Sequence, residues 1–184
     1  MAHWHSGAVI AALGAMLTAG SVEAQSLRTV EPKLYGGLSL GTTTYFDDRG
    51  LEYDYIGFVI AGQLGLRLSP DIRVEGELAY ETTSGEIDGT NIDIDLDVLR
   101  LAGTAYYDFS SLSFGGLLPF AGAGLGISDL DFEGGGDDTE LSANLDVGAS
   151  LSLTNNLDIV PMTRWELTDD ASNFQIRAGA RLWF

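Results

Sequence analysis

The feature that most restricts what this chain can fold into is a two-residue alternation of apolar and polar side chains. Its clearest copy is the end of the chain, Asn173 to Phe184. Phe174, Ile176, Ala178, Ala180, Leu182 and Phe184 share one parity, and Gln175, Arg177, Gly179, Arg181 and Trp183 the other. Successive side chains of a strand point to opposite faces, so this stretch has one apolar and one polar face. The same reading predicts strands over Lys33–Thr44, Ile56–Leu68, Ile72–Thr82, Ile92–Tyr107, Leu112–Ile127, Leu141–Leu153 and Leu157–Leu167. Beyond residue 24 no segment of useful length carries a helical period. In Ile92–Tyr107 the phase slips at Val98-Leu99, where a β-bulge is expected to bring Arg100 back to the polar face.

Strands this long are unusual in soluble sheets. At ~3.3 Å per residue and ~40° tilt, ten residues climb about 25 Å, the height of the apolar band of a membrane barrel. The connections alternate in kind. Ser69-Pro70-Asp71, Asp108–Ser111 and Thr154–Asn156 are tight turns, whereas 45–54, 83–91 and 129–140 are longer, acidic and glycine-rich, with Thr168–Ser172 a shorter loop on their side. Short connections at one end and long ones at the other are the pattern of up-and-down transmembrane barrels.

Periodicity alone does not say which face is wet. A soluble periplasmic barrel binding a small apolar ligand would place the leucines inside with the same alternation. The membrane arrangement is favoured by the loop alternation, by a polar parity of Gly, Ser, Gln, Arg and Glu with Lys33 as the sole lysine, and by an apparent export signal. That signal is the apolar run Ala8–Ala19, too short to span a bilayer, followed by Val22-Glu23-Ala24. Residues 1–24 are read as a secretory signal peptide and 25–184 as the barrel, although His3 and His5 stand where basic residues normally precede such a run.

The chain carries nine basic and 27 acidic residues, a net charge of −18, and −17 without residues 1–24. Such a chain repels nucleic acid, which is excluded as a partner. Both histidines precede residue 25 and cysteine is absent. A serine nucleophile therefore lacks a histidine base, and no enzyme activity and no cofactor are expected.

Tyr35-Gly36-Gly37-Leu38-Ser39-Leu40-Gly41, Leu118-Pro119-Phe120-Ala121-Gly122-Ala123-Gly124-Leu125-Gly126 and the terminal Phe184 together resemble the OmpA-like or opacity-type eight-stranded outer-membrane barrels, the porin family. The resemblance covers nearly all of the chain after residue 24, on loose motifs. It implies an all-β fold, an eight-stranded antiparallel up-and-down transmembrane β-barrel in the outer membrane of a Gram-negative bacterium. It also implies a structural or surface role, contact with outer-membrane lipid and lipopolysaccharide, and Phe184 as the assembly signal read by the barrel-assembly machinery. The chain departs from full-length OmpA proteins in ending at the barrel.

If the apolar parity faces lipid, Arg73, Glu75, Glu77, Glu81, Asp97 and Arg100 line one wall of the lumen and Asp146, Arg164, Glu166, Arg177 and Arg181 the other. Eight strands leave room for little beyond side chains, and arginine's planar fork suits paired carboxylates, so a salt-bridged plug is expected rather than an open channel. No strong metal site is expected. Asp93–Asp97 lacks the glycine and glutamate of a calcium loop, with Val98 and Thr104 in those places. Asp129, Asp131, Asp137 and Asp138 are weak candidates for divalent cations shared with lipopolysaccharide, against the commoner solvated acidic loop. Gly122, Gly124 and Gly126 lie within a strand with no helix after them, so they read as room for an aromatic neighbour or a bend in the wall, not as a dinucleotide loop.

Overall fold

A computed structural model of the protein describes residues 33–47, 56–86, 93–132, 137–168 and 171–184. Side chains at 46–47, 84–86, 93–96, 130–132, 137–138 and 171 lie outside the description. Eight strands form one closed antiparallel sheet: β1 (Lys33–Asp47), β2 (Gly57–Arg67), β3 (Ile72–Glu86), β4 (Asp93–Asp108), β5 (Leu117–Phe132), β6 (Asp137–Ser152), β7 (Leu157–Leu167) and β8 (Ala171–Trp183). Each strand pairs with its neighbours in sequence. The ring closes where β1 meets β8, from Tyr35 opposite Trp183 to Asp47 opposite Ala171. Closure removes every sheet edge, so the backbone pairs within the wall, with one gap in the β6–β7 ladder between Gly148–Met162 and Leu151–Ile159, where Pro161 has no N–H to donate.

The wall is inverted relative to a soluble barrel. Leu38, Leu64, Leu78, Leu101, Leu125, Leu145 and Ile176 are exposed on the outside. Arg73, Arg100, Arg164 and Arg177 are among the most deeply buried side chains of the molecule. A continuous apolar belt around a charged interior has no stable arrangement in water, and the soluble ligand-binding alternative falls with it.

Three details differ from the expectations drawn from sequence. There is no bulge at Val98-Leu99: β4 pairs without interruption with β3 and with β5. Val98 turns inward and Leu99 outward, in phase with Arg100, Thr104, Tyr106 and Asp108 inside. Those four polar side chains set the phase of the strand, because inverting it would carry Arg100 and Asp108 into the apolar belt at several kcal/mol each. One inward valine is the smaller cost. Second, β5 starts at Leu117 rather than Leu112, which belongs to a short 3-10 turn, Ser110–Leu112. Third, the sheet runs past the end of the apolar alternation. Asp131 pairs with Asp137, so 129–140 is mostly strand, with only residues 133–136 outside the description. Backbone ladders do not depend on side-chain polarity, so pairing continues where the apolar pattern stops.

Candidate functional site in the barrel lumen

The inward parity of the eight strands stacks charged side chains in three layers. Nearest the short-turn end, Arg73 donates to Asp108 at 3.0 Å and to the Tyr35 hydroxyl at 3.1 Å, and lies 3.5 Å from Glu75. Tyr35 donates to Glu75 at 2.8 Å, and Arg67 reaches the second oxygen of Asp108 at 3.0 Å. The Arg73 guanidinium also stacks over the Tyr106 ring, 3.8 Å from its centre. Arg181 donates to Ser150 at 3.0 Å and approaches Glu75 at 4.0 Å. Asp158 accepts from the Trp183 indole and from Ser152, each at 2.8 Å.

The middle layer crosses the lumen. Arg164 grips Asp146 with two parallel bonds of 2.8 and 2.9 Å and reaches Glu77 on the far wall. Arg177 holds Glu77 with bonds of 2.8 and 3.2 Å and Ser39 at 2.6 Å. Tyr106 donates to Asp146 at 2.7 Å. These forked, charge-assisted contacts are the geometry for which arginine is suited over lysine. In the layer nearest the loops, Arg100 bridges Glu81 and Glu166. Gln175 and Tyr45 each add a bond to Glu81 at 2.9 Å.

Of the residues expected in the lumen, Arg73, Glu75, Glu77, Glu81, Arg100, Asp146, Arg164, Glu166, Arg177 and Arg181 are buried there. Asp97 is not. It follows the outward phase of Leu99 and Leu101 and shares a hydrogen bond with the exposed Tyr80. Its misplacement has the same origin as the absent bulge. Asp108, read from sequence as the start of a turn, is instead a buried partner of two arginines. Tyr35, Tyr106 and Asp158 also take part. The signal for them was parity: Tyr35 falls in phase with Ser39 and Thr43, and Tyr106 in phase with Arg100 and Thr104.

Glycines make room for these aromatics. A Cβ on Gly65 would lie 2.0 Å from the Tyr35 ring, and one on Gly122 would lie 2.3 Å from Tyr106. The glycine-rich β5 therefore accommodates an aromatic neighbour, as its sequence predicts. The lumen that results is nearly full. A cavity of about 20 Å³ beside Ser39, Gln63, Glu75 and Arg181 has room for roughly one water.

Seven buried carboxylates, Glu75, Glu77, Glu81, Asp108, Asp146, Asp158 and Glu166, stand against the six described arginines. The lumen is thus close to neutral, and the net charge of −18 is carried almost wholly outside it. Asp129 is exposed on the outer face, while the side chains of Asp131, Asp137 and Asp138 lie outside the description. Among the described residues no three metal-ligating side chains converge.

The model of the outer membrane protein beta-barrel domain family matches residues 11–181. The chain belongs to that family. It is therefore an integral β-barrel of the bacterial outer membrane, and its short turns lie at the periplasmic end. Among solved structures, the outer-membrane barrel is similar to Neisserial surface protein A, at 19% identity and a TM-score of 0.66 over 82% of this chain and 97% of that one. It is also similar to Ail of Yersinia pestis, solved in complex with the heparin analogue sucrose octasulfate, at 17% identity and a TM-score of 0.56 over 84% and 100%. The N-terminal barrel domain of Pseudomonas aeruginosa OprF aligns at 18% identity and a TM-score of 0.50 over 82% and 97%. At these identities the likeness is one of fold. No curated protein matches the sequence.

Proposed function

We propose that the protein is a closed, non-enzymatic outer-membrane barrel whose role is structural or displayed at the cell surface, not solute passage. The observation that carries this is the lumen, where every described arginine is engaged by a carboxylate across three stacked layers. Opening a path would strand several buried charges at once, each breakage costing about 3–5 kcal/mol. Planar-bilayer recording tests it. Purified protein should give no discrete conductance steps, and neither should Glu75→Ala, which widens the small cavity beside Ser39 and Gln63 without breaking the middle layer. Regular steps from the wild type would overturn the reading.

In this reading residues 1–24 are the export signal, and a mature mass beginning at Gln25 checks it. Phe184 is the segment read by the barrel-assembly machinery. Its amide bonds to the Leu34 carbonyl at 2.9 Å while its ring remains 72% exposed, so it is fixed in place yet presented. The acidic loop end, including Asp129, Asp131, Asp137 and Asp138, faces lipopolysaccharide phosphates through loosely shared divalent cations. Calorimetry with millimolar Ca²⁺ that gives no heat would remove that contact. The sulfated ligand seen on Ail does not carry over. A polyanion meets repulsion on an exterior that holds nearly all of a −18 charge.

A further inference from the structure

The three periplasmic turns are not alike. Ser69-Pro70-Asp71 joins β2 to β3 and Thr154-Asn155-Asn156 joins β6 to β7, both polar. The β4–β5 connection instead carries Phe109, Leu112 and Phe114, with Leu112 63% and Phe114 84% exposed. Phe114 is not a loose side chain. Its N–H donates to the Leu117 carbonyl at 3.0 Å and its carbonyl accepts from the Leu117 N–H at 2.9 Å, closing a two-residue hairpin. The residues inside that hairpin are Gly115 and Gly116, at φ +57° and +85°. Positive φ at both central positions is what a type I′ turn requires. They are the only described residues with positive φ, and nothing lies within 4 Å of a Cβ placed on Gly115. The backbone, not crowding, selects glycine here. The turn is thus built to hold Phe114 in one position, where no described residue covers it.

The pairing also fixes the direction. Directly opposed residues of an antiparallel pair share a face. Leu117 pairs on its other side with Leu151, and both belong to the outward apolar parity. Phe114 therefore extends the lipid-facing belt beyond the end of β5. Tyr107 packs edge-on against Phe109 at 5.1 Å and joins that belt to the turn.

We propose that the β4–β5 turn is an interfacial anchor, seated at the boundary between acyl chains and headgroups of the inner leaflet, and not a connection in periplasmic water. The occupant of this surface is phospholipid, because Phe114 continues the lipid belt and faces the same way, with the exposed Leu112 two residues before it. In a ring of eight, the β4–β5 seam lies opposite the β8–β1 seam, where Leu34 and Phe184 are also exposed. Two aromatic contacts, Phe114 and Phe184, thus face each other across the periplasmic rim; the two turns between them, flanked by the exposed Leu68 and Leu153, carry no aromatic residue. Such a pair fixes the depth at which the barrel sits. The inference rests on the outer-membrane reading and adds to it a specific site.

The chain has no cysteine, so single sites can be spin-labelled without background. Phe114→Cys, Leu112→Cys, Asn155→Cys and Leu101→Cys are labelled and the protein is reconstituted in phosphatidylcholine vesicles. Collisions with oxygen, which concentrates in lipid, are compared with those of a water-soluble nickel chelate. The nickel collision rate at positions 112 and 114 should fall several-fold below that at 155, with oxygen collisions retained, as at 101. Equal nickel rates at 114 and 155, with 101 still lipid-like, overturn the anchor and leave the barrel intact. A label at 114 shielded from both reagents means that protein, such as a second copy of the chain, covers the turn, and this too overturns it. A water-exposed 101 instead overturns the membrane reading itself.

Discussion

Arg164 shows what a single side chain does in this fold. It is wholly buried, holds Asp146 by two bonds and reaches Glu77 across the lumen. Arg164→Met keeps much of the volume and removes the charge. Glu77 retains Arg177, but Asp146 is left with only the Tyr106 hydroxyl and a desolvated charge. The expected cost is roughly 3–5 kcal/mol, the range for removing one partner of a buried pair. Arg164→Met combined with Asp146→Leu should recover a good part of it, since the stranded charge goes too. Denaturant unfolding of vesicle-reconstituted protein measures both. A single-variant loss below ~1 kcal/mol, the value of an exposed pair, would mean that water reaches this layer and that the lumen is not the dry plug described.

At the scale of the strand, β8 carries the argument from alternation to membrane register. Ala178 faces lipid, opposite Leu40 and Pro161, whereas Arg177 faces Glu77 and Ser39. Ala178→Arg places a charge in the apolar belt at ~2–4 kcal/mol near the midplane. Arg177→Ala leaves Glu77 with Arg164. Ala178→Arg should therefore lower the folded fraction in vesicles more than Arg177→Ala does, and equal yields would refute this register. Deleting Phe184 should separate two readouts. Assembly in cells falls, while the refolded barrel keeps nearly its full stability, because the exposed ring contributes little to the wall. A deletion that unfolds the purified barrel would make Phe184 a structural residue instead. Strands such as β8 were legible because apolar and polar positions never change phase along them. In β4 the alternation of Ile92 to Asp97 runs out of phase with Arg100 to Asp108. The conflict is decided by Glu81 on β3 and Glu166 on β7, which hold Arg100, and a local pattern carries no such information. Leu112 likewise continued an apolar run that looked like strand. The glycine pair at 115–116 was the stronger signal, since two adjacent glycines allow the tight hairpin that interrupts it.

At the scale of the whole molecule, the pairing of the lumen decides where the charge is felt. Six of the nine basic residues of the chain are arginines of the described barrel spent on its own carboxylates, so most of the basic charge is withdrawn from the surface. The exterior meets its surroundings as a strong polyanion, concentrated outside the apolar belt. Association of such a chain with a bilayer then depends on the sign of the headgroups. Transfer from denaturant into vesicles of anionic phospholipid should be slower than into neutral phosphatidylcholine by roughly tenfold at low salt, the lower end of electrostatic effects on encounter rates. Monovalent salt shortens the Debye length to ~10 Å at 0.1 M and should narrow the gap. Magnesium at the same ionic strength should narrow it further, because a divalent ion binds headgroup and carboxylate together. Folding followed by the shift in gel mobility of unboiled samples measures all three conditions. Rates that are equal at low salt, or a gap that salt does not touch, would show that the exterior charge lies too far from the membrane surface to act on it. If magnesium acts no more strongly than sodium at matched ionic strength, screening alone accounts for the effect, and the shared-cation contact with lipopolysaccharide loses its support.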